Sequence, residues 1–232
     1  RRERKALPAP SRPGLRRHVA PRAPLPHDCP AMTFLQCLKP LGLPLLTALL
    51  LALAYPGYHV WPLAWVALVP LLWHVREMRA RDCAVAFFIA GWAFHLFLLN
   101  WLMANVMWAG GYAFIGYAGV CALLALFTAL AGFVFTRIRT ALPPVAHPLA
   151  FALVWAGLEV THANIFSGFG WSALAHSQGE NLPALQWAAL GGYALVGFFI
   201  AFVNAALAQV LMKRARAASA IAAAAALALV HG

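Results

Sequence analysis

From Lys39 onward the chain is a series of apolar runs separated by short polar breaks, and its lysines and arginines fall only before the first run or in every second break. The runs lie near 40–55, 60–75, 84–103, 112–135, 149–164, 187–211 and 217–231. A bilayer span takes about 20 apolar residues, fewer where flanking groups snorkel. The pattern therefore predicts an all-α fold, a polytopic transmembrane helix bundle of about seven spans. The third, fourth and sixth runs are long enough by themselves. The first two are short and carry Pro44, Pro62 and Pro70, which a bundle tolerates when neighbouring helices satisfy the freed backbone groups. The seventh is alanine-rich and has the weakest span signal.

The charges set an orientation. Lys39 precedes the first run; Arg76, Arg79 and Arg81 follow the second, Arg137 and Arg139 the fourth, and Lys213, Arg214 and Arg216 the sixth. The breaks at 56–59, 104–111 and 165–186 contain no Lys or Arg. Short cytoplasmic loops collect positive charge, so the N-terminus is expected in the cytoplasm and the seventh run is expected to end outside it. Lys39, the first run and Ala52-Leu53-Ala54 also fit a signal peptide with a small-residue cleavage site. Tyr55-Pro56-Gly57 leads straight into another apolar segment, which argues against cleavage, and cleavage would leave the later spans as they are.

Composition excludes the obvious alternatives. Hydrophobic residues make up 63% of the chain and charged residues 10%, against about 25% charged in a soluble domain. The net charge of +11 could suit nucleic acid, but eight Lys/Arg sit in residues 1–38 and the other nine sit beside the apolar runs. No nucleic-acid partner is expected. Residues 1–38 read as a disordered, basic Pro/Arg-rich tail, with seven prolines among the first 31 residues. Met32 opens the first membrane-like stretch, so this tail is expected to lie upstream of the true start, and residues 39–232 form the transmembrane helical domain. Cys29, Cys37, Cys83 and Cys121 form no CxxC pair and have no histidine at metal-ligand spacing, so neither a disulfide framework nor a metal or cofactor site follows.

Polar groups within apolar spans are costly and mark candidate sites. Asn100 and Trp101 stand at the outer end of the third run with Asn105 just beyond, Glu159 lies inside the fifth and Asn204 inside the sixth. Interhelical hydrogen bonding is the plainer explanation of each. Trp61, Trp65, Trp108, Trp171 and Trp187 fall near outer ends, where an aromatic interfacial belt accounts for them. The break at 165–186 is unusual for a connector: it mixes Phe166, Gly168, Phe169, Gly170 and Trp171 with Ser172, His176, Ser177 and Gln178. Such a segment can dip into the interface, its aromatic residues among acyl chains.

In order and spacing these features resemble the N-terminal membrane region of the apolipoprotein N-acyltransferase family over roughly residues 42–232. The resemblance is carried by Tyr55-Pro56-Gly57-Tyr58, Trp61-Pro62-Leu63-Ala64-Trp65, Asn100-Trp101-Leu102 with Gly110-Gly111, and Trp155 with Glu159. It continues through Ser167-Gly168-Phe169-Gly170-Trp171, Ser177-Gln178, Gly192-Tyr193 and Val203-Asn204-Ala205. The chain departs from the family at Gly170, where proline is usual, at His176, where tyrosine is common, and at Val160 and His162, where tryptophan and arginine tend to stand.

The resemblance implies acyl transfer from a phospholipid donor to the α-amino group of a lipoprotein's diacylglyceryl-cysteine, at the bacterial cytoplasmic (inner) membrane. Its chemistry would belong to a nitrilase-like domain outside that membrane, with a Glu base, an oxyanion-stabilising Lys and a thioacyl-forming Cys. No catalytic residue is therefore expected in this chain, which reads as truncated or encoded separately from its catalytic half. Trp101, Glu159, Gly168, Phe169, Trp171, Ser177 and Gln178 are the expected substrate-binding residues. The competing reading is a non-enzymatic membrane protein, either a lipid-binding accessory factor or a small transporter; an internal repeat would favour the latter, and none is seen.

The predicted orientation is tested with single cysteines in a cysteine-free background. In spheroplasts, Tyr58→Cys should react with a membrane-impermeant maleimide and Arg137→Cys only after permeabilisation; the reverse pattern would invert the topology.

Overall fold

A computed structural model describes residues 41–108, 110, 112–165 and 168–231. The tail at 1–38, Lys39, Cys29, Cys37, Gly111 and Ser167 lie outside the described residues. The helices are α1 (Gly42–Ala54), α2 (Val69–His74), α3 (Ala80–Leu98), α4 (Leu102–Trp108), α5 (Ala113–Arg139), α6 (His147–Asn164), α7 (Leu182–Gln186), α8 (Ala188–Leu211) and α9 (Arg216–His231). A 3-10 turn, Trp61–Trp65, precedes α2, and no strand occurs among the described residues. The fold is all-helical, as the run pattern predicts. Ala80–Leu98, Ala113–Arg139, Pro144–Asn164 and Ala188–Leu211 are long and apolar enough to cross a membrane, while Gly42–Ala54, Trp61–His74 and Arg216–His231 are shorter apolar helices.

Two boundaries differ from those read in the sequence. The third run extends to 103, but α3 ends at Leu98, and residues 102–108 form the separate helix α4. The chain turns there so that Leu99 is buried with Tyr117, Cys121 and Leu124, and the Tyr117 hydroxyl donates to the Leu96 carbonyl. In the sixth run the backbone departs from helical geometry at Gly191 and Gly192, the latter with φ +65°. Regular helix resumes at Tyr193.

The prolines explain the broken second segment. Pro62 and Pro70 lie in the first turns of the 3-10 turn and of α2, and the unwound backbone between these two elements needs partners that water cannot supply in hydrocarbon. Asn204, fully buried on α8, accepts from the Leu68 N–H at 2.8 Å and donates to the Ala64 carbonyl at 2.8 Å. Thr47 of α1 accepts from the Leu71 N–H at 3.1 Å. The two side chains stitch the interrupted segment to the helices on either side.

Elsewhere small residues let helices approach. The pair α3 and α5 packs most extensively, and a Cβ on Gly132 would lie 2.6 Å from the Phe87 ring. Without lipid-excluding hydrophobic force between helices, such close contact is what holds them together. Cys83 and Cys121 are free and buried among these helices.

Hydrogen bonds define two ends. At one, Arg139 donates to the Val75 and Met78 carbonyls, both at 3.1 Å, where cationic charge complements the last turn of α2. His147 reaches the Arg139 carbonyl at 3.1 Å, and Gln209 donates to His147 Nδ1 at 3.0 Å. The break residues Arg76, Arg79, Arg137, Lys213 and Arg214 flank these contacts in the chain. At the other end, Tyr55, Trp61, Trp65, Trp101, the loop 168–181 and His231 meet. This grouping matches the sorting of charge among the breaks.

Replacing Asn204 by Leu leaves the Leu68 N–H and Ala64 carbonyl without partners. The loss should be about 1–3 kcal/mol, the usual cost of a buried unsatisfied group. Thermal unfolding in detergent measures it, and an unchanged midpoint would show that Asn204 is dispensable.

Candidate functional site

The loop 168–181 is built by a short set of hydrogen bonds converging on backbone groups. Glu159 Oε1, one turn beyond Trp155 on α6, accepts from Trp155 Nε1 and from the Leu174 N–H, both at 2.8 Å. Glycine at position 197 of α8 leaves room for the carboxylate, since a Cβ there would lie 2.6 Å from Glu159 Oε2. The Tyr55 hydroxyl, at the end of α1, lies 2.7 Å from the Ser172 carbonyl and 2.9 Å from that of Ala173, its single proton shared between the two acceptors. His176 Nδ1 sits 3.0 Å from the Trp171 carbonyl, so the ring holds the residue beside it in space.

Gln178 is the most saturated side chain of the loop. Completely buried, it accepts from Trp65 Nε1 at 3.0 Å and from Asn181 Nδ2 at 2.8 Å, and donates to Ser177 Oγ at 2.9 Å and the Trp61 carbonyl at 3.3 Å. An amide offers two donors and two acceptor sites, and all are used inside the protein. Ser177 Oγ in turn donates to the Leu174 carbonyl at 2.6 Å. Asn181 also donates to His231 Nε2 at 2.9 Å, joining the loop to the end of α9. Gly168 has φ +75°, and a Cβ there would strike the Ala163 carbonyl oxygen. A side chain would therefore be strained at this turn in both conformation and space.

The loop walls a cleft of about 550 Å³ between α3, the start of α8 and the 168–181 segment. Tyr55, Leu98, Trp101, Trp171, Ala175, His176, Ala188, Tyr193 and Val196 line it, with no Lys, Arg, Asp or Glu among its lining residues. The Trp101 and Trp171 rings pack at 5.1 Å and form its open side, 45% and 57% exposed. Phe169 stands behind Trp171 at 5.8 Å, with His162 behind it at 6.1 Å. An apolar, aromatic-walled slot without ionic groups suits a hydrocarbon chain.

Of the residues singled out in the sequence, Trp101 and Trp171 line the cleft. Glu159, Gly168, Phe169, Ser177 and Gln178 stand behind it and shape the loop. Tyr55, His176, Ala188, Tyr193 and Val196 line the cleft without having been singled out as binding residues. The Tyr55-Pro56-Gly57-Tyr58 and Gly192-Tyr193 motifs were the available signals for two of them.

The fold is that of a helical membrane domain with an uncharged aromatic cleft at the end of the bundle that carries the loop 168–181. Residues 47–206 match the apolipoprotein N-acyltransferase N-terminal domain, and the chain belongs to the apolipoprotein N-acyltransferase family, as part of its membrane region. Curated apolipoprotein N-acyltransferases resemble it throughout this part. That of Geobacter metallireducens is 31% identical over 170 residues, 72% of this chain and 32% of the relative. The Azotobacter vinelandii protein is 31% identical over 164 residues, 68% of this chain and 31% of the relative. The Gloeobacter violaceus protein is 34% identical over 182 residues, 70% of this chain and 32% of the relative. The chain spans about a third of the length of the curated relatives it matches.

If Glu159 holds the loop, Glu159→Leu should free the Leu174 N–H and make the loop 168–178 cleavable by protease, while Glu159→Gln, which keeps the accepting oxygen, should protect it. Limited proteolysis in detergent distinguishes the two variants. Equal resistance of both would remove the carboxylate from the anchoring role.

Proposed function

We propose that this chain forms the lipid-holding part of an apolipoprotein N-acyltransferase in the bacterial cytoplasmic (inner) membrane, spanning it several times with the basic end in the cytoplasm. The observation that carries the reading is the uncharged cleft behind Trp101 and Trp171. Its occupant is an acyl chain of the phospholipid donor or of the diacylglyceryl group on the lipoprotein acceptor. Trp101 and Trp171 touch the chain. Glu159, Gly168, Phe169, Ser177 and Gln178 fix the loop against which it lies.

The reaction attaches an acyl group to the lipoprotein's terminal amine. A thiol attacks the phospholipid ester carbonyl, giving a thioester and a lysophospholipid; the amine then attacks the thioester, forming an amide and restoring the thiol. Dividing one hard step into two is the gain from a covalent intermediate. In this reading the thiol, base and oxyanion donor come from a nitrilase-like domain on the outer side, joined to α9 or separately encoded. The contact of His231 with Asn181 supports that placement, since it brings the end of α9 beside the outer loop.

Two measurements test the proposal. Bilayers carrying the chain and a phospholipid with a photoreactive acyl chain should give adducts at the cleft residues. Trp101→Ala with Trp171→Ala should cut their yield by about tenfold, equivalent to about 1.4 kcal/mol. Co-expression with a nitrilase-like domain of the same family should N-acylate a diacylated lipoprotein, read as a mass increase. A folded, inserted pair that gives neither adduct nor acylation would refute the assignment.

A further inference from the structure

The middle of the bundle holds a second cavity, of about 50 Å³, beneath the outer loop. Most of its wall is apolar, yet His95 of α3 and Glu159 and His162 of α6 also line it. Each of the three has a buried polar atom with no hydrogen-bond partner: His95 Nε2, Glu159 Oε2 and His162 Nε2. His95 is only 3% exposed. Buried polar atoms are rarely left unpaired in a folded protein, so three around one cavity call for an occupant.

The chemistry of these atoms narrows what it can be. His95 Nδ1 lies 2.6 Å from the Gly91 carbonyl oxygen, which can only accept. Nδ1 therefore carries the proton, and Nε2 is a bare acceptor. Glu159 Oε1 already takes two donors, while Oε2 has no partner and accepts when the carboxyl is ionised or donates when it is protonated. The occupant must donate to His95 Nε2 and be able to donate to or accept from Glu159 Oε2, from a body that fits about 50 Å³. A water needs roughly 10–15 Å³ of such space and two to four polar partners, and both conditions are met.

We propose that ordered water occupies this cavity within the membrane plane, donating to His95 Nε2 and bonded to Glu159 Oε2 and His162 Nε2. The water ties α3 to α6 and, through the Glu159–Leu174 bond, to the outer loop. It also completes the coordination of the carboxylate: one oxygen holds the loop, and the other is held by water. This inference rests on the cavity and its unpaired atoms, and is independent of the acyl-transfer reading.

The test is a crystal structure of the chain grown in lipid, at a resolution that shows water, with and without xenon pressure. Polar hydrated cavities exclude xenon, whereas dry apolar ones take it up. The native chain should show water density within hydrogen-bond distance of His95 Nε2 and Glu159 Oε2, and no xenon. His95→Leu should lose that density and admit xenon. Xenon in the native cavity, or the Glu159 carboxyl bonded directly to an imidazole with no water present, would overturn the proposal. The native crystal decides by itself if the variant fails to fold.

Discussion

A backbone amide that leaves a helix inside hydrocarbon finds no water to bond, and this chain leaves its helices at two places where that matters. One is the stretch between the 3-10 turn and α2, where Asn204 and Thr47 take up the Leu68 and Leu71 amides and the Ala64 carbonyl. The other is the loop 168–181, where Glu159, Tyr55 and Ser177 bond to the backbone of residues 172–174. In both cases the partner is a polar side chain on a distant segment. The irregular backbone is thus also what fastens the helices together. Removing such a partner leaves a buried group unpaired, which costs more than the bond itself contributes.

The cleft beside this loop depends on the same arrangement. Its walls are ordinary apolar and aromatic side chains, and their shape is set by hydrogen bonds that lie behind them. Trp171 stays against Trp101 because its carbonyl is held by His176 and the next two carbonyls are held by or lie beside Tyr55. Gln178 and Asn181 then lock the far end of the loop to Trp65 and to α9. An apolar slot gains little from polar contact with whatever lies in it. It gains from walls that do not collapse when empty, which is the service a saturated polar layer behind the aromatic rings provides.

The helical class and the sorting of charge to one end were legible in the sequence because hydrophobic length and basic flanks act locally along the chain. The break at Leu99 was not, since it follows from the burial of Leu99 against Tyr117 and Cys121, which are distant in sequence. Asn204 was visible as a polar residue inside a span, and interhelical hydrogen bonding is what it does. Gln178 was equally visible, but its type does not reveal that all four of its hydrogen bonds would be internal. The pairing of Trp101 with Trp171 joins residues 70 positions apart. Each could be read alone only as one of several interfacial tryptophans.

His95 and His162 show most clearly why the interior was harder to read than the outline. A histidine in an apolar run says little by itself, because one partner suffices to accommodate a neutral ring. What matters is which nitrogen remains unpaired once the helices have packed, and that depends on Gly91 one turn earlier and on Glu159 across the bundle. Glu159 has neighbours of two kinds: loop amide and indole donors on one oxygen, and Gly197 of α8 beside the other, while its side chain lines the cavity shared with His95 and His162. A carboxylate placed this way ties the loop 168–178 to α6, so the wall of the cleft depends on how closely α6 packs against α8 at Gly197.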